Sequence, residues 1–285
     1  METLKIAIQK TGRLSEKSLE LIRSCDIRLA QGKGRLISVS DDFPVQVLYL
    51  RDDDIPQYVA DGVADIGIVG ENEVMEKSRD VDIIRKLGFA KCRMSLAISQ
   101  EEEYTGIKWF NSKRIATSYP NILKDFLKKH SILATIEEIS GSVEIAPGVG
   151  LADSIFDIVS TGSTLVSNRL KEVELVCRSE AVIIVSPSLH AGKKATLNDL
   201  LIRIDSVLRS KGNKYILLNA PDNKIKEITA ILPGMKSPTV MPLYRKGWSS
   251  IHSVVNEKDF WKIIDRLKSY GAEGILVIPI EKMIF

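Results

Sequence analysis

The chain has 285 residues, 44% hydrophobic and 27% charged, which is apolar enough to bury two or three packed units and unlike a disordered polypeptide. No apolar run approaches the roughly 18–20 residues of a membrane-spanning helix, and the opening "METLKIAIQK" meets charge too early for a secretion signal, so a cytoplasmic protein is expected. The formal charge of +3 is uneven: residues 210–285 carry 12 Lys/Arg against 7 Asp/Glu, and residues 1–209 carry 28 against 30. No basic stretch is interleaved with aromatics, so neither nucleic acid nor a membrane is an expected partner.

Strand-like and helical runs alternate along the first two thirds. "LKIAI" 4–8 precedes a helix over 15–25 with Ser15 as its cap, and "VQVLYL" 45–50 precedes a helical run over 52–62. "ADIGIVG" 64–70 follows, then a short helix from Glu71. A second unit opens at "KCRMSLAIS" 91–99 and continues through "KRIATSY" 113–119, a Pro-led helix 120–130, "ATIEEIS" 134–140 and "SIFDIVS" 154–160. The rhythm predicts α/β architecture, and a return of "ELVCRSEAVIIVS" 174–186 to the first unit would leave two lobes sharing a hinge and a cleft. The expected lobes are 1–90 with 182–209, and 91–181.

An amphipathic helix over 197–210 leads to a tail, 210–285, with its own order: strand 214–220, helix 222–232, strands 238–243 and 249–255, helix 256–270, strand 274–280. That is the ferredoxin-like βαββαβ pattern. Cys25, Cys92 and Cys177 are far apart and in no C-x-x-C pair, so they are expected as buried thiols, outside any disulfide or zinc site.

The stretch "DIVSTGSTL" 157–165 packs poorly as core. Its hydroxyls spell an ordinary capped helix start. They also suit an anion seat: Ser160, Thr161, Gly162, Ser163 and Thr164 present N–H and hydroxyl groups at a strand-to-helix turn, Gly162 leaves room for a phosphate, and Asp157 can accept hydrogen bonds from sugar hydroxyls. Neither G-x-x-x-x-G-K-[ST] nor G-x-G-x-x-G occurs. Arg13, beside Lys10 and Gly12 after the first strand, offers a two-pronged phosphate donor. Arg51 and Asp52–Asp54 either face the cleft or serve the helix dipole. Gly67 and Gly70 flank a buried strand, as either packing positions or points of close ligand approach.

An acid followed by "STGST" is similar to the 5-phosphoribosyl 1-diphosphate (PRPP) loop of phosphoribosyltransferases. With "IAIQKTGRLSE" 6–16, "YLRDDDIPQYVADGVADIGIVGENE" 49–73, "KRIATSYP" 113–120, "SGSVEIAPGVGLADSIFDIVSTGSTL" 140–165, "LPGMKSPTVMPL" 232–243 and "IPIEKM" 278–283, the chain resembles the long form of the ATP phosphoribosyltransferase family over nearly its whole length. The resemblance implies two lobes like those of periplasmic binding proteins, a regulatory tail, and transfer of the phosphoribosyl group of PRPP to N1 of ATP with Mg²⁺ as the cofactor. It implies Ser160–Thr164 with Asp153 or Asp157 at PRPP, and Glu144 near the ribose. Gln9, Lys10, Gly12, Arg13, Leu14, Arg51 and Glu71 fall at ATP or pyrophosphate. Of these, Arg13, Asp157 and Glu144 are the catalytic candidates, and no dedicated metal-ligand cage is expected.

In the tail, the resemblance places inhibitory L-histidine at Asn219 and Thr239, and it implies a homo-hexamer. Asn219 is a neutral amide and meets an ammonium or imidazole differently from an acid. Two other readings share these features: a solute-binding protein without catalysis, and a phosphoribosyltransferase with another acceptor.

Overall fold

Chain order in the computed structural model, whose described residues are 2–30, 36–232 and 237–284, builds two compact units, Met1–Leu197 and Asn198–Phe285. The first begins with β1 (Leu4–Gln9), α1 (Arg13–Ser24), β2 (Ile37–Val39), β3 (Val45–Leu50), α2 (Ile55–Ala60), β4 (Ile66–Gly70), α3 (Glu71–Lys77) and β5 (Asp82–Lys86). It crosses to β6 (Cys92–Ser99), β7 (Arg114–Thr117), α4 (Pro120–Lys129), β8 (Thr135–Glu138), β9 (Ser154–Val159), α5 (Ser163–Ser167) and β10 (Leu170–Ser179), then returns as β11 (Ala181–Val185).

Two sheets result, ordered β2-β3-β1-β4-β11-β5 and β10-β6-β9-β7-β8. The parallel pairs β1–β3 and β1–β4 explain why "LKIAI" is nearly all apolar, with Leu4, Ile6, Ala7 and Ile8 buried. Each such buried Leu or Ile contributes roughly 1.5–3 kcal/mol. The run 174–186 spans the return itself: residues through Ser179 pair with β6, and residues from Ala181 pair with β4 and β5, so it divides at Glu180.

Gly67 is a packing position. A Cβ there would stand 2.6 Å from Ile55 Cγ2 and 3.1 Å from Val59 Cγ2, so its bareness admits α2 onto the sheet. The expected cap Ser15 is buried inside α1, whose N-cap is Gly12 at φ +96°, because the helix starts two residues earlier at Arg13. The run 52–62 opens with a 3-10 turn, Asp52–Asp54, before α2. Cys25 is buried, whereas Cys92 and Cys177 are half-buried on strands of the second sheet.

The second unit takes α6 (Lys194–Ser210) from Asn198 onward, followed by β12 (Asn213–Pro221), α7 (Ile225–Ile231), β13 (Thr239–Pro242), β14 (Trp248–Asn256), α8 (Glu257–Ser269) and β15 (Glu273–Pro279). Its boundary precedes the expected 209/210 because the end of α6 is tied to the end of the chain: Met283 N donates to Ser206 O, and Ser210 Oγ donates to Glu281 O at 2.8 Å. The antiparallel order β13-β14-β12-β15 is the ferredoxin-like one. Ile216, Leu218, Ile251 and Val255 pack with Ile228, Phe260 and Leu267. Residues 233–236 of "LPGMKSPTVMPL" lie outside the described residues.

Candidate active site

The hydroxyl loop leaves the end of β9. Ser160, Thr161, Ser163 and Thr164 are exposed, and Gly162 takes φ +85° just before α5, a helix of only five residues. Thr161 Oγ1 and Ser163 Oγ hydrogen-bond at 3.0 Å. Behind the loop stands a brace absent from the sequence-based expectation. Arg93 on β6 donates to Ser160 O at 3.0 Å, while its Nε and Nη2 each hold Glu172 of β10 at 2.6 Å. Ser95 Oγ adds a third hydrogen bond to Glu172 at 2.7 Å. The fork geometry fixes the guanidinium, and the guanidinium fixes the loop backbone.

The carboxylates divide. Asp157 is half-buried at the loop end of β9; burial pushes its carboxyl up to about 6, with the Glu144 charge adding to the rise and the Ile158 N–H opposing it. Glu144 comes from the turn Val143–Ile145, whose Val143 packs in the same cluster as Ile155 and Val159 of β9. Asp153 sits at the other end of that strand, where its Oδ2 accepts the Arg114 N–H at 2.8 Å and its Oδ1 lies 3.6 Å from Arg114 Nη2. The structure therefore groups Glu144 with Asp157 and leaves Asp153 apart.

The first sheet supplies the opposite wall. A cleft of about 820 Å³ is lined by Arg51, Asp52, Asp53, Glu73 and Lys77 on that side and by Ser118, Tyr119 and Gly141 on the other. Asp52 and Asp53 thus face the cleft while also opening the 3-10 turn; Asp54 does not line it. Arg51 Nε donates to Asp53 at 3.1 Å, and Gln9 Nε2 donates to Asp52 at 3.2 Å, which brings the end of β1 to the cleft edge. Lys10 N donates to Leu50 O at 2.7 Å; Lys10, Gly12 and Arg13 are exposed, and Leu14 is half-buried.

Glu71 goes elsewhere, into a pair with Lys86 at 2.9 Å. The cleft acid is Glu73, because residues two apart on a helix point to nearly opposite sides. Glu73 is buried, and burial followed by the nearby Asp52 charge pushes its carboxyl up to about 7. Asn72 Nδ2 donates to Glu73 Oε1 at 3.0 Å. Burial and the charges of Glu73, Asp157 and Asp52 raise the Tyr119 phenol, so all four groups share one electrostatic neighbourhood across the two sheets. No local motif singles out Glu73 over Glu71; the side each takes follows from the phase of α3.

In the second unit, Asn219 pairs with Ser250 and Thr239 pairs with His252, on strands separated by β14. Both lie on the face opposite Ile216 and Leu218, so the sheet shows them together without bringing them into contact.

A hydroxyl loop at the end of β9 and an acidic cleft between two α/β sheets make up the candidate site. Residues 51–206 match the family model described as ATP phosphoribosyltransferase, and residues 210–282 match the one described as HisG, C-terminal domain. The chain belongs to the ATP phosphoribosyltransferase family. It is 60% identical over 281 residues to the ATP phosphoribosyltransferase of Cytophaga hutchinsonii (99% of this chain, 98% of that one), and 58% identical over 281 residues to that of Bacteroides thetaiotaomicron (99% of each).

Among solved structures it is similar to the ATP phosphoribosyl transferase (HisG:HisZ) complex from Thermotoga maritima, with TM-score 0.62 and 29% identity over 71% of this chain and 99% of that one. A histidine kinase sensor domain with similarity to periplasmic binding proteins shares the fold at TM-score 0.50 and 12% identity, over 74% of this chain and 91% of that one. Family membership makes the chain a transferase and displaces the reading as a binding protein without catalysis. Among the described residues, no helix is long and apolar enough to cross a membrane.

Proposed function

We propose that the protein transfers the 5-phosphoribosyl group of PRPP to N1 of the adenine of ATP, releasing pyrophosphate, as the first step of L-histidine biosynthesis in the cytoplasm. The observation that carries this reading is the hydroxyl loop with Asp157 at its foot, whose charge acts on Tyr119 of the cleft that Asp52 and Glu73 line.

Adenine N1 carries its own lone pair at neutral pH, so the nucleophile needs no general base. The difficult event is the positive charge that grows on the ribose ring as pyrophosphate departs. Ser160–Thr164 hold the 5-phosphate, and Asp157 with Glu144 take the ribose hydroxyls and face that charge. Arg13 and Arg51, with Gln9, Lys10, Gly12 and Leu14, hold the nucleotide or the pyrophosphate. Binding at these fixed points supplies alignment, and the pre-set carboxylates supply charge stabilisation.

Mg²⁺ suits the oxygen donors of Asp52 and Asp53. It takes one or two carboxylates together with substrate phosphates and water, and it would neutralise pyrophosphate charge there. Glu73 occupies the cleft place expected of Glu71.

In the second unit, histidine binds at the open sheet face carrying Asn219 and Thr239, between neighbouring copies of a hexamer, and shifts it toward a less active arrangement. Coupling of about 1–3 kcal/mol changes activity roughly 5–150-fold. Mass spectrometry of a reaction holding Mg²⁺, ATP and PRPP tests the transfer: a product of ATP plus one phosphoribosyl group, released with pyrophosphate, supports it, and its absence from a folded sample contradicts it.

A further inference from the structure

Helix α4 has no cap of its own. Tyr119 holds the N-cap position without accepting a side-chain hydrogen bond, and Pro120 opens the helix. The free N–H groups of its first turn are costly unless something accepts them. Here the acceptor comes from the other lobe. Glu76, on α3 and only 4% exposed, takes the Asn121 N–H on one carboxylate oxygen and the Ile122 N–H on the other, each at 3.0 Å. Asn121 Nδ2 returns a hydrogen bond to Glu76 O, also at 3.0 Å. A buried carboxyl group thus closes the N-terminal end of a helix across the seam between the lobes.

This contact adjoins the cleft at both ends. Glu73 precedes Glu76 by three residues, on the same side of α3. Tyr119 precedes Asn121 by two residues and faces Glu73. The cap and the Glu73–Tyr119 contact therefore form one continuous seam. Among the described residues, the hydrogen bonds of the Glu76 carboxylate go to α4 alone, so removing the carboxylate leaves the core of each lobe intact.

We propose that Glu76 is a positioning residue: it holds the two lobes joined across the cleft before substrate arrives, keeping Tyr119 and Asp157 opposite Asp52 and Glu73. A protein without this latch spends part of its time parted at the seam. Its apparent affinity for substrates falls by the fraction still joined, while saturating substrate restores the joined form and its turnover. The kinetic consequence rests on the transfer reading above; the state of the seam does not.

The test uses the full-length protein and its Glu76→Ala and Glu76→Gln variants. Amide hydrogen exchange without substrates reads the seam directly. We expect Asn121 and Ile122 to be protected in the parent protein and to exchange about tenfold or more faster in Glu76→Ala, with β9 and the later turns of α4 unchanged. Steady-state rates should show KM for PRPP and ATP raised about three- to tenfold with kcat within about twofold. Glu76→Gln, which keeps one carbonyl acceptor and the buried volume, should fall between, and it carries the test alone if the alanine variant unfolds.

Unchanged exchange at Asn121 and Ile122, loss of protection throughout both lobes in Glu76→Gln, or a fall in kcat at constant KM would each overturn the proposal. Local exchange as expected in a protein that makes no phosphoribosyl-ATP would retain the latch and overturn the transfer.

Discussion

Asp153, just before β9, and Asp157, within it, meet different neighbours: Asp153 closes on the backbone and side chain of Arg114, while Asp157 lies with Glu144 at the hydroxyl loop. Four residues of extended chain separate them by about 13 Å. A single ribose does not reach both, so their substitutions should have different signatures. Asp157→Asn is expected to lower kcat by about 10²–10³, the effect of losing one preorganised charge partner of a transition state. Asp153→Asn should keep kcat within a few-fold and cost about 1 kcal/mol of stability through weaker bonds to Arg114. Initial-rate kinetics paired with thermal unfolding separates the two.

The raised carboxyls of Glu73 and Asp157 give the pH dependence a direction. Both acids keep their protons to higher pH in the fold than when free, so the folded state is disfavoured progressively as pH climbs from about 4.5 through about 7 for Glu73. Glu73→Gln should therefore raise stability at pH 8 by about 2–3 kcal/mol, with the gain fading below pH 5. Activity should move the opposite way, rising as Asp157 ionises around its value of about 6. Melting temperatures and rates across pH 4–9 check both; parallel melting curves for parent and variant would remove this account of Glu73.

Arg93 and Gly162 set the loop, and neither lines the cleft between the sheets. Gly162→Ala places a side chain at φ +85°, a cost of roughly 1–2 kcal/mol locally, although the nearest atom to its Cβ is 3.9 Å away. Arg93→Ala removes the brace on Ser160 O and strands Glu172. Each is expected to raise KM for PRPP by about tenfold while KM for ATP changes less than about twofold, the pattern of a lost phosphate seat. Equal rises for both substrates would place the loop elsewhere in the mechanism.

Gly67→Ala should destabilise the protein by about 1–3 kcal/mol, because the new methyl falls 2.6 Å from Ile55 Cγ2 in a packed layer. Combining it with Ile55→Ala should recover part of that loss, and denaturant unfolding of the four-member cycle measures the coupling.

The fold was legible wherever local pattern and pairing coincide. The alternation in "KYILLNA" and the near-continuous apolar run in "LKIAI" carry their strands, and Pro120 marks the start of α4. The short exposed strands β2 and β5 were missed because they are paired by their neighbours and bury little themselves. At the site, the strand-to-helix turn at "STGST" was readable from its hydroxyls around Gly162, a pattern that an ordinary capped helix start also carries. Glu73, Arg93 and Glu76 were not. Their roles depend on helix phase and on partners 46, 67 and 45 residues away or reached only through burial, and no local motif encodes such distances.

The most direct measurement is near-ultraviolet absorbance of the full-length protein with Mg²⁺, ATP and PRPP, with pyrophosphatase drawing the equilibrium and each substrate omitted in turn. The account predicts a rise that needs both substrates, is suppressed by histidine, and all but vanishes in Asp157→Asn. A folded protein that shows no rise with both substrates present, or an Asp157→Asn variant that matches the parent rate, would contradict it.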